Sequence, residues 1–202
     1  MSKILLTTAY LPPVSYFEFI KGADRVTLEG AEFYQKQSYR TRCYIYAGNG
    51  PLLLNVPVEK LPNDKRYVRD LKVDYSENWQ LVHQRALVSA YNSSPFFEYY
   101  YYDDLLPVFE KKHRFLFDMN LDFIRKLDEL FGLNTEIEIS QEYAVSCPED
   151  VLDLREKIHP KRERIGSNKP YYQVFAQKYG FQPELSAVDL LFNEGPDAIS
   201  YL

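Results

Sequence analysis

The fold of this chain is decided by residues 4–29, which read ILLTTAYLPPVSYFEFIKGADRVTLE. The apolar run at residues 4–10 predicts a buried strand, which must end at Pro12 and Pro13 because proline cannot donate a hydrogen bond to a strand ladder. The aromatic cluster that follows predicts a short helix closed by Gly22, and residues 25–29 predict a second strand. A strand, a helix and a strand within about 30 residues form the βαβ unit of a parallel sheet.

The segment after this unit, residues 33–47, alternates between two faces in the way that a strand does. The turn sequence Gly48-Asn49-Gly50 follows, and residues 51–58 then predict the return strand of a hairpin. A further short strand is predicted at residues 70–75. The first part of the chain is therefore predicted to be rich in sheet.

Helical spacing dominates the chain after residue 75. Residues 77–91 and 120–131 carry apolar stripes with the period of a helix, and a third helix is predicted at residues 187–193 after the cap residue Ser186. Residues 135–139 predict one more short strand. This order of elements is typical of a fold in which sheet and helices come from different parts of the chain.

The predicted fold class is α/β of the mixed α and β type, as one domain over residues 1–202. Its sheet-rich N-terminal half starts with a βαβ unit plus a hairpin, and its C-terminal half is helical. Residues 157–170 carry Lys and Arg broken by Glu, and they predict a mobile basic loop. Such a loop is either a solvated surface or a flap that closes over an anionic substrate.

Composition limits the classes of partner. The net charge of −5 disfavours a nucleic-acid partner, which usually needs a basic face. No apolar run approaches the roughly 20 residues that span a bilayer, and the N-terminus is too polar for a signal peptide, so we expect a cytoplasmic protein. Cys43 and Cys147 lack metal-type spacing, and no dinucleotide or P-loop motif is present; neither a metal nor a cofactor is predicted. The 18 Tyr and 13 Phe favour surfaces that are half core and half binding site.

His83 is the predicted catalytic residue. It lies on the inward stripe of the helix at residues 77–91, together with Trp79 and Ala86. Only imidazole titrates near neutral pH without a large shift of its pKa, so this side chain could act as a general base. The alternative is a buried, neutral histidine that is bonded to a carbonyl group.

Arg40 and Arg42 form the second predicted group. A spacing of two residues along a strand places both guanidinium groups on one face, about 7 Å apart. Two such groups can hold a carboxylate or phosphate by paired hydrogen bonds. The alternative is a solvated sheet face, but Tyr44 and Tyr46 on the same face favour a substrate-binding surface.

Four further residues are predicted to bind substrate because of their positions next to turns. Tyr10 and Tyr16 flank the turn after the first strand, where ligands of parallel sheets bind. A nucleotidyltransferase motif rich in histidine would fall here, but this chain has Ser15 and Tyr16 at the corresponding positions. Tyr91 ends the stripe that carries His83, and Asn92 begins the turn that closes that helix.

An ordered set of short motifs resembles the WbqC-like protein family. The set consists of TAYLPPVSYF at 8–17, Ala23-Asp24, YRTR at 39–42, VPV at 56–58, Trp79 with His83, YNSSPFF at 91–97 and DLLFNEGP at 189–196. The match extends over nearly the whole chain, and the ordered set is more specific than any single motif.

The resemblance implies a bacterial protein that works beside enzymes of surface-polysaccharide biosynthesis. It suggests a transferase that adds an acyl or aminoacyl group to a nucleotide-linked amino sugar, with a small-molecule donor as second substrate. In that reading His83 deprotonates the attacking group, and the arginines hold an anionic part of a substrate. The alternative is a non-enzymatic binding or assembly protein whose aromatic surface docks a partner.

Overall fold

The structure is a computed structural model that describes residues 2–60, 66–167 and 169–202, and it has a mixed α and β architecture. The strands are β1 (Lys3–Leu6), β2 (Arg25–Leu28), β3 (Arg42–Ala47), β4 (Gly50–Asn55), β5 (Ile137–Ile139) and β6 (Val151–Asp153). The α-helices are α1 (Val14–Lys21), α2 (Trp79–Tyr91), α3 (Phe97–Tyr100), α4 (Leu106–Glu110), α5 (Leu116–Leu130), α6 (Ala176–Tyr179) and α7 (Ala187–Glu194). Shorter helical stretches are the 3-10 helices Val68–Asp70 and Gly195–Tyr201 and the π-helix Tyr101–Leu105.

The main sheet is parallel, with the strand order β5-β2-β1-β6. Ile4 of β1 lies opposite Val26 of β2, and α1 is the crossover helix between these two strands, so the predicted βαβ unit is confirmed. β1 ends at Leu6, earlier than predicted. Its continuation leaves the sheet, and the N–H of Tyr10 donates to the carbonyl of Tyr39 instead.

The hairpin is also confirmed, as a separate two-stranded sheet of β3 and β4. Its first strand begins at Arg42 and not at residue 33 as predicted. The reason is a turn before the strand, in which Gln37 adopts a positive φ of 62° and the hydroxyl of Ser38 donates to the carbonyl of Gln35. The tight turn of the hairpin requires a positive φ of 102° at Gly50.

The prediction of a strand at residues 70–75 is wrong. Lys72 bridges Phe115, whereas its neighbour Val73 bridges Val58, so successive residues pair with different segments and no ladder forms. A period of two in the sequence indicates alternating burial, but it does not supply a continuous partner strand.

Helices α2, α5 and α7 occupy the three segments where helices were predicted, with shifts of a few residues at their ends. Strand β5 is confirmed as well. The sequence patterns missed β6, which pairs in parallel with β1, and they missed the helices α3, α4 and α6. The mixed fold class is confirmed, with four of the six described strands in the first half of the chain.

A single cluster of buried apolar side chains runs from Ile4 to Ala198. It contains large rings that are fully covered, such as Phe17, Phe123 and Phe192. Burial of an aromatic side chain is one of the largest favourable contributions to folding, which explains why a chain with so many rings can hold short strands together. Among the described residues, no helix is both long and apolar enough to cross a bilayer.

The predicted basic loop at residues 157–170 has no helix or strand in its described part, and Asn168 lies outside the described residues. Arg164 donates from Nε to Glu184 Oε2 at 2.9 Å, and the hydroxyl of Ser167 donates to Glu18 of α1 at 2.9 Å. These bonds attach the loop to the body of the protein at two points. Its mobility stays a prediction.

Candidate functional site

The carboxyl ends of the four parallel strands meet at one edge of the main sheet, which is where ligands bind in open α/β folds. A crevice of about 550 Å³ lies at this edge. It is lined by residues 31–35 after β2, residues 141–143 after β5, residues 155–156 after β6, and by Tyr67 and Arg69. We call it the carboxyl-edge crevice.

An ion-pair network lies next to this crevice and reaches it through Arg155. Glu29, which follows β2, is fully buried, and it accepts a hydrogen bond of 2.9 Å from Nη1 of Arg155. It also accepts a bond from the hydroxyl of Ser140, which follows β5. Arg155 in turn donates from Nη2 to Asp153 of β6 at 2.6 Å. This network therefore joins the carboxyl ends of β2, β5 and β6.

Protonation in this network follows from the contacts. Burial alone would raise the pKa of Asp153, but the hydrogen bonds from Arg155 outweigh burial and lower that pKa below its ordinary value. The same bonds raise the pKa of Arg155. Both groups are therefore charged at neutral pH. Gly30 lies so close to the segment after β5 that no side chain fits at this position, because a Cβ atom there would lie 2.6 Å from the carbonyl oxygen of Ser140.

A second ion pair lies between Glu32, which lines the crevice, and Arg40 behind it. Arg40 is 2% exposed and binds the carboxylate with two hydrogen bonds, 2.9 Å from Nε and 2.5 Å from Nη2. The amide of Asn120 holds the carbonyl of Arg40 at 2.8 Å. Burial raises the pKa of Glu32, although Arg40 offsets part of that effect. A crevice carboxylate with a raised pKa is a candidate proton acceptor.

Two exposed rings also line the crevice. Phe33 and Tyr67 stack with their centroids 4.8 Å apart and their planes 15° from parallel, and they are 51% and 40% exposed. The guanidinium carbon of Arg69 lies 5.3 Å from the centroid of Tyr67. A flat apolar surface next to charged groups suits the apolar face of a sugar ring or a nucleobase.

The predicted pair of Arg40 and Arg42 does not share a strand face, so that prediction is wrong. Arg40 precedes β3 and is buried against Glu32, whereas Arg42 begins β3 and is half-buried. The physical reason is that Arg40 still lies in the turn before the strand, where the N–H of Thr41 donates to the carbonyl of Ser38 at 3.4 Å. Arg42 lines a second cavity, and its Nε lies 3.4 Å from Oδ1 of Asn55.

His83 and Tyr10 lie together in the core. The Tyr10 hydroxyl is 2.8 Å from Nδ1 of His83, and His83 is 4% exposed. Burial lowers the pKa of His83 to about 4, and a backbone hydrogen bond with Asn55 offsets only part of that effect. The imidazole is therefore neutral at neutral pH. The rings of Trp79 and Phe123 enclose Tyr10, with centroids 6.3 Å and 5.5 Å away.

The other predicted binding residues lie at separate places. The buried Tyr16 donates to the carbonyl of Thr7 at 2.7 Å. The buried Tyr91 donates to Asp189 Oδ1 at 2.8 Å and accepts a bond from the backbone N–H of Tyr46. Asn92 is exposed at the end of α2. The structure thus pairs Tyr10 with His83 and does not bring the predicted set together in one cavity.

Sequence reasoning missed the residues that line the crevice. A signal existed for Glu29, which holds the crevice residue Arg155, because it is the last residue of a predicted strand of a parallel sheet. No comparable signal existed for Arg155, since the three-residue strand before it has no recognisable period. In the described ranges, no group of three or more His, Cys, Asp or Glu side chains is arranged to hold a metal ion.

The fold and crevice define an α/β protein with a parallel sheet and a polar cleft at its carboxyl edge. A family model described as the WbqC-like protein family matches residues 8–166, so the chain belongs to this family, as its motifs predicted. The matched range contains every residue that lines the carboxyl-edge crevice. Helix α7 lies beyond it.

The chain is also similar to the uncharacterized protein Rv1507c of Mycobacterium tuberculosis (strain ATCC 25618 / H37Rv). The two are 25% identical over 228 aligned residues, which cover 100% of this chain and 98% of the relative. No solved structure matches the chain.

Proposed function

We propose that this protein is a cytoplasmic transferase of surface-polysaccharide biosynthesis that transfers an acyl or aminoacyl group to a nucleotide-linked amino sugar. The observation that supports this most is the carboxyl-edge crevice, which joins an exposed aromatic stack to buried charged groups. Three carboxylates line it, those of Glu32, Glu142 and Glu156, and they would attract the ammonium group of an amino sugar. Phe33 and Tyr67 would contact the apolar face of the ring.

In the proposed reaction the bound ammonium group of the sugar first releases one proton to water, and the resulting amine attacks the carbonyl carbon of an activated acyl donor. A C–N bond forms, the bond from the carbonyl carbon to the leaving group breaks, and the amine loses one proton. We assign the acceptance of that proton to Glu32, because this residue lines the crevice and burial raises the pKa of its carboxyl group. The protonated Glu32 then returns the proton to the leaving group.

Arg40 would act as a positioning residue, since its two hydrogen bonds hold the carboxylate of Glu32 in one orientation. His83 lies in the core with Tyr10, so we propose that it positions the loop after β1 rather than acting as a base.

Isothermal titration of the full chain with a nucleotide-linked amino sugar tests the binding part of the proposal. Phe33→Ala is expected to weaken binding about tenfold or more, because stacking on an aromatic side chain typically contributes about 1–3 kcal/mol. Tyr99→Ala is the matched control, since that ring is 71% exposed but lies outside the crevice. Equal affinity of the two variants would contradict the assignment of the crevice.

The chemical part is tested by single-turnover acyl transfer with Glu32→Gln and Glu142→Gln. A general base typically contributes about 10²–10⁴ in rate, so Glu32→Gln is expected to lower kcat by about a hundredfold or more. Glu142→Gln removes an exposed crevice carboxylate and should act mainly on KM. Circular dichroism checks that both variants fold. An unchanged kcat in Glu32→Gln would remove Glu32 from the mechanism.

A non-enzymatic assembly protein is the second candidate function. Tyr99 of α3 and Tyr102 of the adjoining π-helix are both exposed, at spacing that favours one side of the helix. Exposed tyrosines are frequent anchors of protein interfaces. Sedimentation of the full chain and of the double variant Tyr99→Ser/Tyr102→Ser tests this function. A complex that forms in the wild-type protein and dissociates in the variant favours assembly. Identical sedimentation of the two proteins counts against it.

A further inference from the structure

A second cavity adjoins the carboxyl-edge crevice and differs from it in charge. It has a volume of about 560 Å³, and its described lining includes four basic side chains and one acidic side chain, Glu59. The basic side chains are those of Lys36, Arg42, Lys60 and Arg66. We call it the basic cavity.

The two cavities share a wall. Tyr34 lines both of them, and its backbone N–H donates to the carbonyl of Arg66 at 2.7 Å. Its hydroxyl lies 3.3 Å from Oγ1 of Thr41, just before β3. These bonds attach the wall to both neighbouring segments. A ligand that passes over Tyr34 would therefore contact the crevice at one end and the basic cavity at the other.

Two of the four basic side chains of the cavity, Arg42 and Arg66, form no ion pair with a described residue. The carboxylate of Glu59 is already 3.6 Å from Nζ of Lys72, so it does little to offset the arginines. The one hydrogen bond from the side chain of Arg42 to a described residue is the long contact to Asn55. Arg42 and Arg66 thus retain guanidinium N–H groups that can bind an anion by paired hydrogen bonds.

We propose that the basic cavity binds the phosphate or diphosphate part of the same substrate whose amino-sugar ring lies in the carboxyl-edge crevice. A single carboxylate would need only one arginine, whereas a diphosphate carries enough charge to engage cations from several segments. Three carboxylates and two arginines line the crevice, whereas four basic side chains and one carboxylate line this cavity. This difference matches a ligand with an ammonium group at one end and phosphates at the other. This assignment rests on the proposed function and extends it to the position of the anionic part.

Isothermal titration of the full chain with inorganic pyrophosphate tests the basic cavity without the sugar. Arg42→Gln and Arg66→Gln are each expected to weaken pyrophosphate binding about tenfold or more, since each removes charge-assisted hydrogen bonds. Arg85→Gln on α2 is the matched control, because Arg85 is exposed and lies outside both cavities, and its affinity should change less than about twofold. Circular dichroism and thermal melting verify that the variants fold.

Three outcomes would overturn the proposal. Pyrophosphate could fail to bind the wild-type protein, bind all three variants equally, or bind no better than acetate, which would make the cavity a carboxylate site. Only a preference for pyrophosphate that depends on Arg42 and Arg66 supports it.

A companion variant separates this inference from the proposed function. Phe33→Ala should leave pyrophosphate binding unchanged but weaken binding of the complete nucleotide-linked amino sugar. If pyrophosphate binding depends on Arg42 while Phe33→Ala binds the nucleotide sugar normally, the anion site stands and the assignment of the crevice fails. If instead pyrophosphate binding does not depend on Arg42 while Phe33→Ala weakens binding of the nucleotide sugar, the assignment of the crevice stands and the anion site is rejected.

Discussion

Two buried carboxylates in this molecule, Glu29 and Asp189, are stabilised by opposite means. Glu29 at the carboxyl-edge crevice is paired with a cation, Arg155. Asp189 on α7 is fully buried in the core, and the described groups that donate hydrogen bonds to its carboxylate are all neutral, those of Tyr91, Tyr171 and Gln173. The first arrangement keeps charge at the edge of a cleft, and the second joins helix α7 to the body of the protein.

The pKa of Asp189 reflects its neutral surroundings. Burial raises the pKa of Asp189 to about 6, and the three neutral donors lower it only in part. The comparison teaches that a buried carboxylate whose donors are all neutral lies close to titration near neutral pH. Three predictions test this contrast, beginning with the largest expected effect.

Arg155→Met should destabilise the protein by about 3–5 kcal/mol, because it leaves the charge of Glu29 buried without its cationic partner. Urea unfolding followed by circular dichroism measures the change. The matched control is Arg162→Met, since Arg162 is exposed and lies 3.5 Å from Glu156; its cost should stay under about 0.5 kcal/mol. Similar costs for the two variants would contradict the importance of the buried pair.

Tyr171→Phe should destabilise the protein by about 2 kcal/mol at pH 7.5, because it removes one hydrogen bond to a buried charged acceptor. The neighbouring Tyr172→Phe is the control, since Tyr172 is exposed and its hydroxyl has no described partner. The same urea titration gives both values. A cost for Tyr171→Phe no larger than that of the control would show that neutral donors contribute little at Asp189.

The pH dependence of stability should reveal the protonation of Asp189. Its folded pKa of about 6 lies above the ordinary value of 3.8, so its contribution to stability is complete below pH 3.8 and is lost as the pH rises through 6. Relative to Asp189→Asn, the wild-type protein should therefore gain about 1.4 kcal/mol between pH 7.5 and pH 5. Urea unfolding at the two pH values measures this gain.

His83 makes the opposite contribution in the same range. Its folded pKa of about 4 lies below the ordinary 6.5, so its contribution is complete above pH 6.5 and is lost as the pH falls toward 4. Because His83 is present in the wild-type protein and in Asp189→Asn alike, its effect cancels in the difference between them. A difference that stays constant between pH 7.5 and pH 5 would mean that Asp189 does not titrate there.

The parts of the fold that depend on local pattern could be predicted from the sequence. The βαβ unit follows from residues 4–29, and the hairpin follows from the turn at Gly48-Asn49-Gly50. Strand β6 could not be found, because three residues are too few to show a period and its partner β1 lies at the other end of the chain.

The candidate site was harder to predict because its contacts are distant in sequence. Glu29 and Arg155 are 126 residues apart, and no local motif connects them. His83 illustrates a different limit: helical periodicity correctly indicated that it faces inward, but periodicity does not tell whether an inward face meets a core or an open cleft. The same limit applies to Tyr10 and Tyr91, which are both in the core.

The order of strands in the main sheet has a consequence for how the protein is made. β1 is synthesised before both of the strands that flank it in the sheet, β2 and β6, and its Lys3 lies opposite Val151. One edge of β1 must therefore wait for its partner until the whole segment from β2 to β5 has been synthesised. Sheets that depend on such distant pairing fold slowly and expose unpaired strand edges meanwhile. The nascent chain is thus most open to chaperones, and to aggregation, before β6 appears.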